Sequence, residues 1–184
     1  RELMMIGVSS TSTELSVKDD YLFRLCAPDA AQGPALALVL LSLEKSAVIV
    51  VQNSDASSDA AFKSFEEEYM SSGGIVVERL RFSDDYRPED YLGLMDDAEQ
   101  ITLDAVGAYG RDSLALLMVM SDEFMFFVEH SGSYPAMSSV DWFGSDGTRV
   151  TVNSGGFVKN ADLRLFCLKS AALNSSKYRE ISDR

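Results

Sequence analysis

The chain has 184 residues, 46% hydrophobic and 24% charged, with 16 basic against 29 acidic side chains and a formal net charge of −13. That length suits one domain burying roughly 70% of its unfolded surface, so a core can form without a metal or disulfide staple. The negative field repels phosphate backbones and anionic lipid, which argues against nucleic acid as a partner, and no apolar run approaches the roughly 20 residues of a membrane span.

In chain order, the apolar residues 3–8 end in the hydroxyl cluster Ser9-Ser10-Thr11-Ser12-Thr13. A strand that stops in hydroxyls and freed backbone N–H groups can hold a small anion, although a polar turn bonding its own backbone has the same composition. Residues 21–26 form a short apolar strand. Asp29 and Gln32 have the spacing of a capping box ahead of the Ala- and Leu-rich residues 30–43. Residues 47–51 are largely β-branched with no polar alternation, the pattern of a strand covered on both faces in a parallel sheet.

Ser57 and Ser58 are candidate N-caps for a helix carrying Ala61, Phe62, Phe65 and Tyr69, which Gly73-Gly74 ends. A strand over 75–80 follows. Pro88-Glu89-Asp90 then opens a helix over 88–109 with Tyr91, Leu94, Met95, Ala98, Ile101 and Ala105 on one face, closed by Gly110. Residues 114–120 read as a buried strand, 122–130 as a helix, 140–144 as a strand and 163–168 as a last strand, before a polar tail over 170–184. Strands alternating with helices of 10 to 20 residues give an α/β fold: a three-layer α/β/α sandwich around a mostly parallel sheet.

Walker A, G-x-G-x-x-G, G-x-S-x-G and H-E-x-x-H patterns are all missing, which weakens every enzymatic reading. The one histidine, His130, ends a helix, where a hydrogen-bonding or cationic side chain suits the free carbonyls. The acid pairs Asp84-Asp85 and Asp96-Asp97 and the run Glu66-Glu67-Glu68 lack metal-ligand spacing and read as solvated surface. No metal or cofactor is expected. Asp146 differs, because it directly follows a buried strand at the sheet end where open α/β folds take ligands, and it also suits a turn before Gly147.

The order of these features resembles the type I periplasmic binding proteins, the branched-chain amino acid and receptor-family group. It does so in Ser9 through Ser16, Phe23-Arg24, Asp29, Gln32-Gly33, residues 45–51 and Trp142-Phe143-Gly144-Ser145-Asp146-Gly147. The resemblance implies two α/β lobes closing on a small ligand across a hinge, with one lobe complete here. Residues 1–20 would be a remnant of the first lobe and the approach to the hinge, 21–169 the ligand-binding lobe and 170–184 a tail.

It implies an extracytoplasmic, non-enzymatic receptor for an amino acid or small carboxylate, serving a membrane permease or a sensor. Ser9, Ser10 and Thr11 would grip the ligand carboxylate, Asp146 its ammonium, and the strand-end loops at Ser57 and Ser121 would face the cleft. Residues 53–58 hold no aromatic and no Tyr stands at Met120 or Ser121, so an aliphatic side chain clamped between two rings is not supported. On the same resemblance Cys26 and Cys167 lie in neighbouring hinge segments, where they are either joined as a disulfide or separate thiols. An interaction module pairing with itself through exposed hinge surface is the alternative.

Overall fold

The computed structural model describes residues 3–7, 15, 17–18, 20–24, 29–83, 85–145, 148 and 163–167. Two short strands, β1 (Met5–Gly7) and β2 (Leu22–Arg24), pair in parallel as a separate two-stranded sheet. Then follow α1 (Asp29–Ser42), β3 (Ala47–Asn53), α2 (Ala56–Ser71), β4 (Ile75–Phe82), α3 (Pro88–Tyr109), β5 (Leu114–Val119), α4 (Phe124–His130), α5 (Pro135–Ser139), β6 (Asp141–Gly144) and β7 (Leu165–Cys167). The five later strands form one all-parallel sheet in the order β4-β3-β5-β6-β7.

Every residue of β3 and β5 is buried, as suits the apolar residues 47–51 and 114–119, and the burial extends to the polar pair Gln52 and Asn53 that ends β3. Strand alternation then sorts the side chains into two cores. Val48, Val50, Ala115, Leu117 and Phe143 face one way, against Leu36, Ala37 and Leu40 of α1 and Phe62, Phe65 and Tyr69 of α2. Ile49, Val51, Leu116, Met118 and Trp142 face the other, against Leu94, Met95 and Ala98 of α3, Phe124 and Phe127 of α4 and Met137 of α5. These are the three layers the sequence predicts.

The glycine stops also hold: Gly73 and Gly110 take φ of 93° and 83°, conformations that side chains avoid. The start of α3 matches its Pro-and-acid signature, with Arg87 N donating to the Asp90 carboxylate at 2.9 Å. His130 sits where expected, its Nδ1 2.8 Å from Phe126 O in the last turn of α4. Two features differ from expectation. The N-cap of α2 is Asp55, not Ser57 or Ser58, and residues 135–139 form the unpredicted helix α5, held by Ala136 N and Met137 N donating to the Glu99 carboxylate at 2.7 and 2.8 Å.

Helices α1 and α2 touch backbone to backbone at Gly33. A Cβ there would lie 2.4 Å from Phe65 N and 2.8 Å from Ala61 O. Gly33→Ala is therefore expected to push the helices apart and lower stability by about 1–3 kcal/mol in urea unfolding, despite alanine's better helix propensity. An unchanged or raised midpoint would show that the pair can relax freely.

Among the described residues, buried charge is confined to the amino ends of the strands. Lys45, ahead of β3, places Nζ 2.8 Å from Asp141 Oδ2 at the start of β6 and donates to Asp112 O at 2.7 Å. Arg164 Nε lies 2.6 Å from Asp141 Oδ1 without an N–H aimed at that oxygen, so its contribution is a Coulombic contact from a side chain 60% exposed. Nearby, Tyr69 donates its hydroxyl to Lys45 O at 2.6 Å, and burial pushes its phenol far above the ordinary value, so it stays a donor.

Candidate functional site

The direction of winding places the site. From β3 the chain passes through α2 to β4 on one side, then through α3 to β5 on the other, so the strand order reverses between β3 and β5. Adjacent loops diverge there, opening a crevice at the carboxyl ends of the two strands. The loop after β3 carries Ser54 and Asp55 and leads into Ser57 in the first turn of α2; the loop after β5 carries Ser121, Asp122 and Glu123. Ser57 and Ser121, both exposed, thus come to one edge of the sheet from positions 64 apart in sequence.

Local hydrogen bonds set these loops. Asp55 accepts from Ser58 N at 2.8 Å and from the Ser58 hydroxyl at 2.7 Å, fixing the first turn of α2 just past buried Asn53. Ser121 N donates to the Glu123 carboxylate at 3.2 Å, and Phe124 N to Ser121 O at 3.2 Å. Beyond β6, Ser145 N donates to Met118 O at 3.2 Å and its hydroxyl reaches Met120 O at 3.5 Å, tying the end of β6 to that of β5. Thr148 donates to Ser145 O at 2.6 Å and packs so closely on Gly144 that a Cβ there would overlap its side chain.

Asp55→Ala removes both cap bonds at once. It should lower stability by about 1–2 kcal/mol and shift the amides of residues 57–59 in a spectrum of the folded state, whereas Asp55→Asn should recover much of the loss. Equal stability of all three proteins would mean that the cap does not fix the loop.

The edge is acidic as well as hydroxyl-rich. Next to the crevice, at the end of β4, Ser83, Asp85, Tyr86, Glu89, Asp90, Gly93, Leu94 and Asp97 line an open groove of about 510 Å³. Ser83 donates its hydroxyl to Asp85 within it. The cation nearest in sequence, Arg87, lies 3.4 Å from the Asp90 carboxylate, and the next ones, Arg79 and Arg81, both bond the Asp59 carboxylate, at 2.6 and 2.9 Å, with Arg79 also 4.1 Å over the Phe62 ring. Among the described residues no group of three His, Cys, Asp or Glu is placed to hold a metal ion.

Of the residues expected to bind ligand, Ser57 and Ser121 share the crevice edge. Ser9, Ser10, Thr11 and Asp146 lie outside the described residues, although Ser145 brings the chain to the same edge one residue before Asp146. Cys26 is also outside them; Cys167 ends β7, with the Thr148 hydroxyl 3.6 Å from its sulfur. The groove residues Asp85 and Asp97 belong to acid pairs whose sequence pattern is that of solvated surface. A signal was present, since Asp85, Glu89, Gly93 and Asp97 recur at four-residue spacing with no side chain at Gly93.

No protein-family model matches the chain, and no curated protein sequence matches it. Solved structures do. An ABC transporter substrate-binding protein from Desulfitobacterium hafniense superposes with a TM-score of 0.71 at 16% identity, over 99% of this chain and 49% of its own. A branched-chain amino acid ABC transporter protein from Rhodospirillum rubrum gives 0.64 at 16% identity, over 88% of this chain and 43% of its own. A Desulfitobacterium hafniense substrate-binding protein in complex with Leu gives 0.62 at 18% identity, over 78% and 40%. The chain thus spans less than half the length of each, and its fold is that of a single lobe of the branched-chain amino acid type of ABC transporter substrate-binding protein.

Proposed function

We propose that the chain is the ligand-binding lobe of an extracytoplasmic solute receptor, taking a small polar solute such as an amino acid or small carboxylate and handing it to a membrane permease or a sensor without chemical change. The observation that carries this reading is the reversal of strand order between β3 and β5, which sets the Ser57 and Ser121 loops beside each other at the carboxyl edge. Asp146 would join them from the end of β6 and pair with an ammonium group. Ser9, Ser10 and Thr11 would supply carboxylate donors from the opposite lobe.

The bare sheet β1–β2 supports a two-lobed parent. Leu3, Met4, Met5, Ile6 and Phe23 are all more than half exposed, and neighbours along β1 point to opposite faces. A two-stranded sheet uncovered on both faces is not stable alone in water, so a further α/β layer is what this one fits. In this reading, residues 1–20 belong to that first lobe and the hinge approach, 21–169 form the lobe itself, and Cys26 and Cys167 lie in hinge segments. No helix among the described residues is long and apolar enough to cross a membrane.

Thermal unfolding with leucine, polar amino acids and small carboxylates at about 10 mM tests the proposal, since a ligand held only by the folded state raises the midpoint. A rise with one chemical class, removed by Asp146→Asn, is expected. No rise with any of them, in this chain or a two-lobed parent, would contradict the amino acid reading. The same bare sheet favours a second reading, a sensory module that associates through its hinge surface. Loss of self-association in Phe23→Glu, without any solute response in the unmodified chain, would select it.

A further inference from the structure

Helix α1 has an outward face unlike those of its neighbours. Ala31, Ala35, Leu38, Val39, Ser42 and Leu43 are all exposed, Leu38 at 57%, Val39 at 37% and Leu43 at 45%. They recur at three- and four-residue spacing and so lie on one stripe. No charged residue occurs between Asp29 and Glu44, whereas α2 shows Lys63 and Glu67 to solvent and α3 shows Asp96, Asp97 and Asp104. The hydroxyl on the stripe bonds the helix's own backbone, Ser42 donating to Val39 O at 2.8 Å. Nothing on this face calls for water.

We infer that this face is a self-association surface, on which α1 of a second copy of the chain lies antiparallel across a twofold axis. The ridge Ala31, Ala35, Val39, Leu43 runs from small to large at four-residue steps. A twofold contact requires residue i to meet j while j meets i. An antiparallel copy does this in one register: Leu43 of each copy covers Ala31 of the other, and Val39 covers Ala35, with ridges fitting into grooves. Parallel pairing would set large on large and leave the alanines facing each other.

Charge favours the same occupant. Two chains of −13 repel overall, and this uncharged helical face lets two copies approach without bringing acids together. A bilayer is a poorer fit, because the stripe has no Lys or Arg to meet anionic headgroups. Three turns of helix cover less than the roughly 800 Å² per partner of a standard interface, so the pairing is weak and concentration-dependent.

Sedimentation equilibrium of the full chain from roughly 1 µM to 1 mM tests this, with the average mass rising from 20.2 kDa toward twice that value. Ala31→Glu and Leu43→Lys, both at exposed positions and checked for native circular dichroism, should each stay monomeric. Mixed in equal amounts they should dimerise again, since the acid introduced in one copy then meets the ammonium introduced in the other, while the second contact keeps its native Leu43 and Ala31. A chain monomeric at every concentration would overturn the inference. So would association that survives both substitutions, or that is lost in Phe23→Glu alone, which would move the contact to the β1–β2 sheet.

Discussion

Replacing Asp141 with alanine should destabilise the chain by about 3–5 kcal/mol, the range for removing one partner of a buried ion pair. The side chains of Lys45 and Asp141 are 5% and 7% exposed, so the deletion strands an ammonium in the interior with only the Asp112 carbonyl to solvate it. Arg164 does not rescue it, being itself a cation. In thermal unfolding the effect is a fall of roughly 10 °C for a domain of this size. A double variant, Lys45→Met with Asp141→Leu, should recover most of the loss, because apolar pairs of similar volume often replace such ions at little cost. The site is at the amino edge of the sheet, opposite the crevice, so solute affinity per folded molecule should not change. A loss under about 1 kcal/mol would mean that Lys45 escapes to water once released.

Trp142→Ala is expected to cost a similar amount, about 3–5 kcal/mol, with a different signature. The ring is fully buried, meets Phe124 edge-on at 6.3 Å and donates Nε1–H to Met137 O at 2.8 Å. It therefore binds β6, α4 and α5 into one unit, and β6 leads directly into Ser145 while α4 follows the Ser121 loop. Deleting the ring should loosen both loops and weaken solute binding as well as stability, where the Asp141 change weakens stability alone. Trp142→Phe keeps much of the packing and should lose about 1–2 kcal/mol for the missing hydrogen bond. Urea unfolding of the two variants beside solute titration separates the effects; equal affinity in Trp142→Ala would show that the loops are held from elsewhere.

The sequence makes the layers legible because their causes are local. Short apolar runs bounded by polar turns suit strands buried on both sides, and β5 and the first five residues of β3 are such runs. Gly73 and Gly110 stop helices through their own φ angles. What escapes a sequence reading is set by distant contacts. Helix α5 is five residues long, too short to show a period, and its N–H groups are capped by Glu99 from 37 residues away. At α2 the hydroxyls of Ser57 and Ser58 both suit a cap; β3 runs on to Asn53, which puts Asp55 at the turn and leaves Ser58 as its donor.

The candidate site divides in the same way. The places of Ser57 and Ser121 at the carboxyl edge of the sheet are readable because each follows a recognisable strand, while the ligand role proposed for them comes from the family resemblance. The acidic groove is not, because it exists only once the first turns of α3 fold back beside the end of β4 and bring Asp97 near Asp85. Its four-residue spacing marks one face of a helix without showing what that face meets.

The most direct test of a solute-binding lobe is amide chemical-shift mapping of the full chain during titration with the solute class that raises its melting point. Perturbations are expected to centre on Ser57, Ser121 and Ser145 and their neighbours in sequence, with Lys45, Asp141 and Arg164 at the opposite edge unmoved. Shifts gathered at that amino edge, or none around the β3 and β5 loops at saturating solute, would contradict a solute-binding lobe.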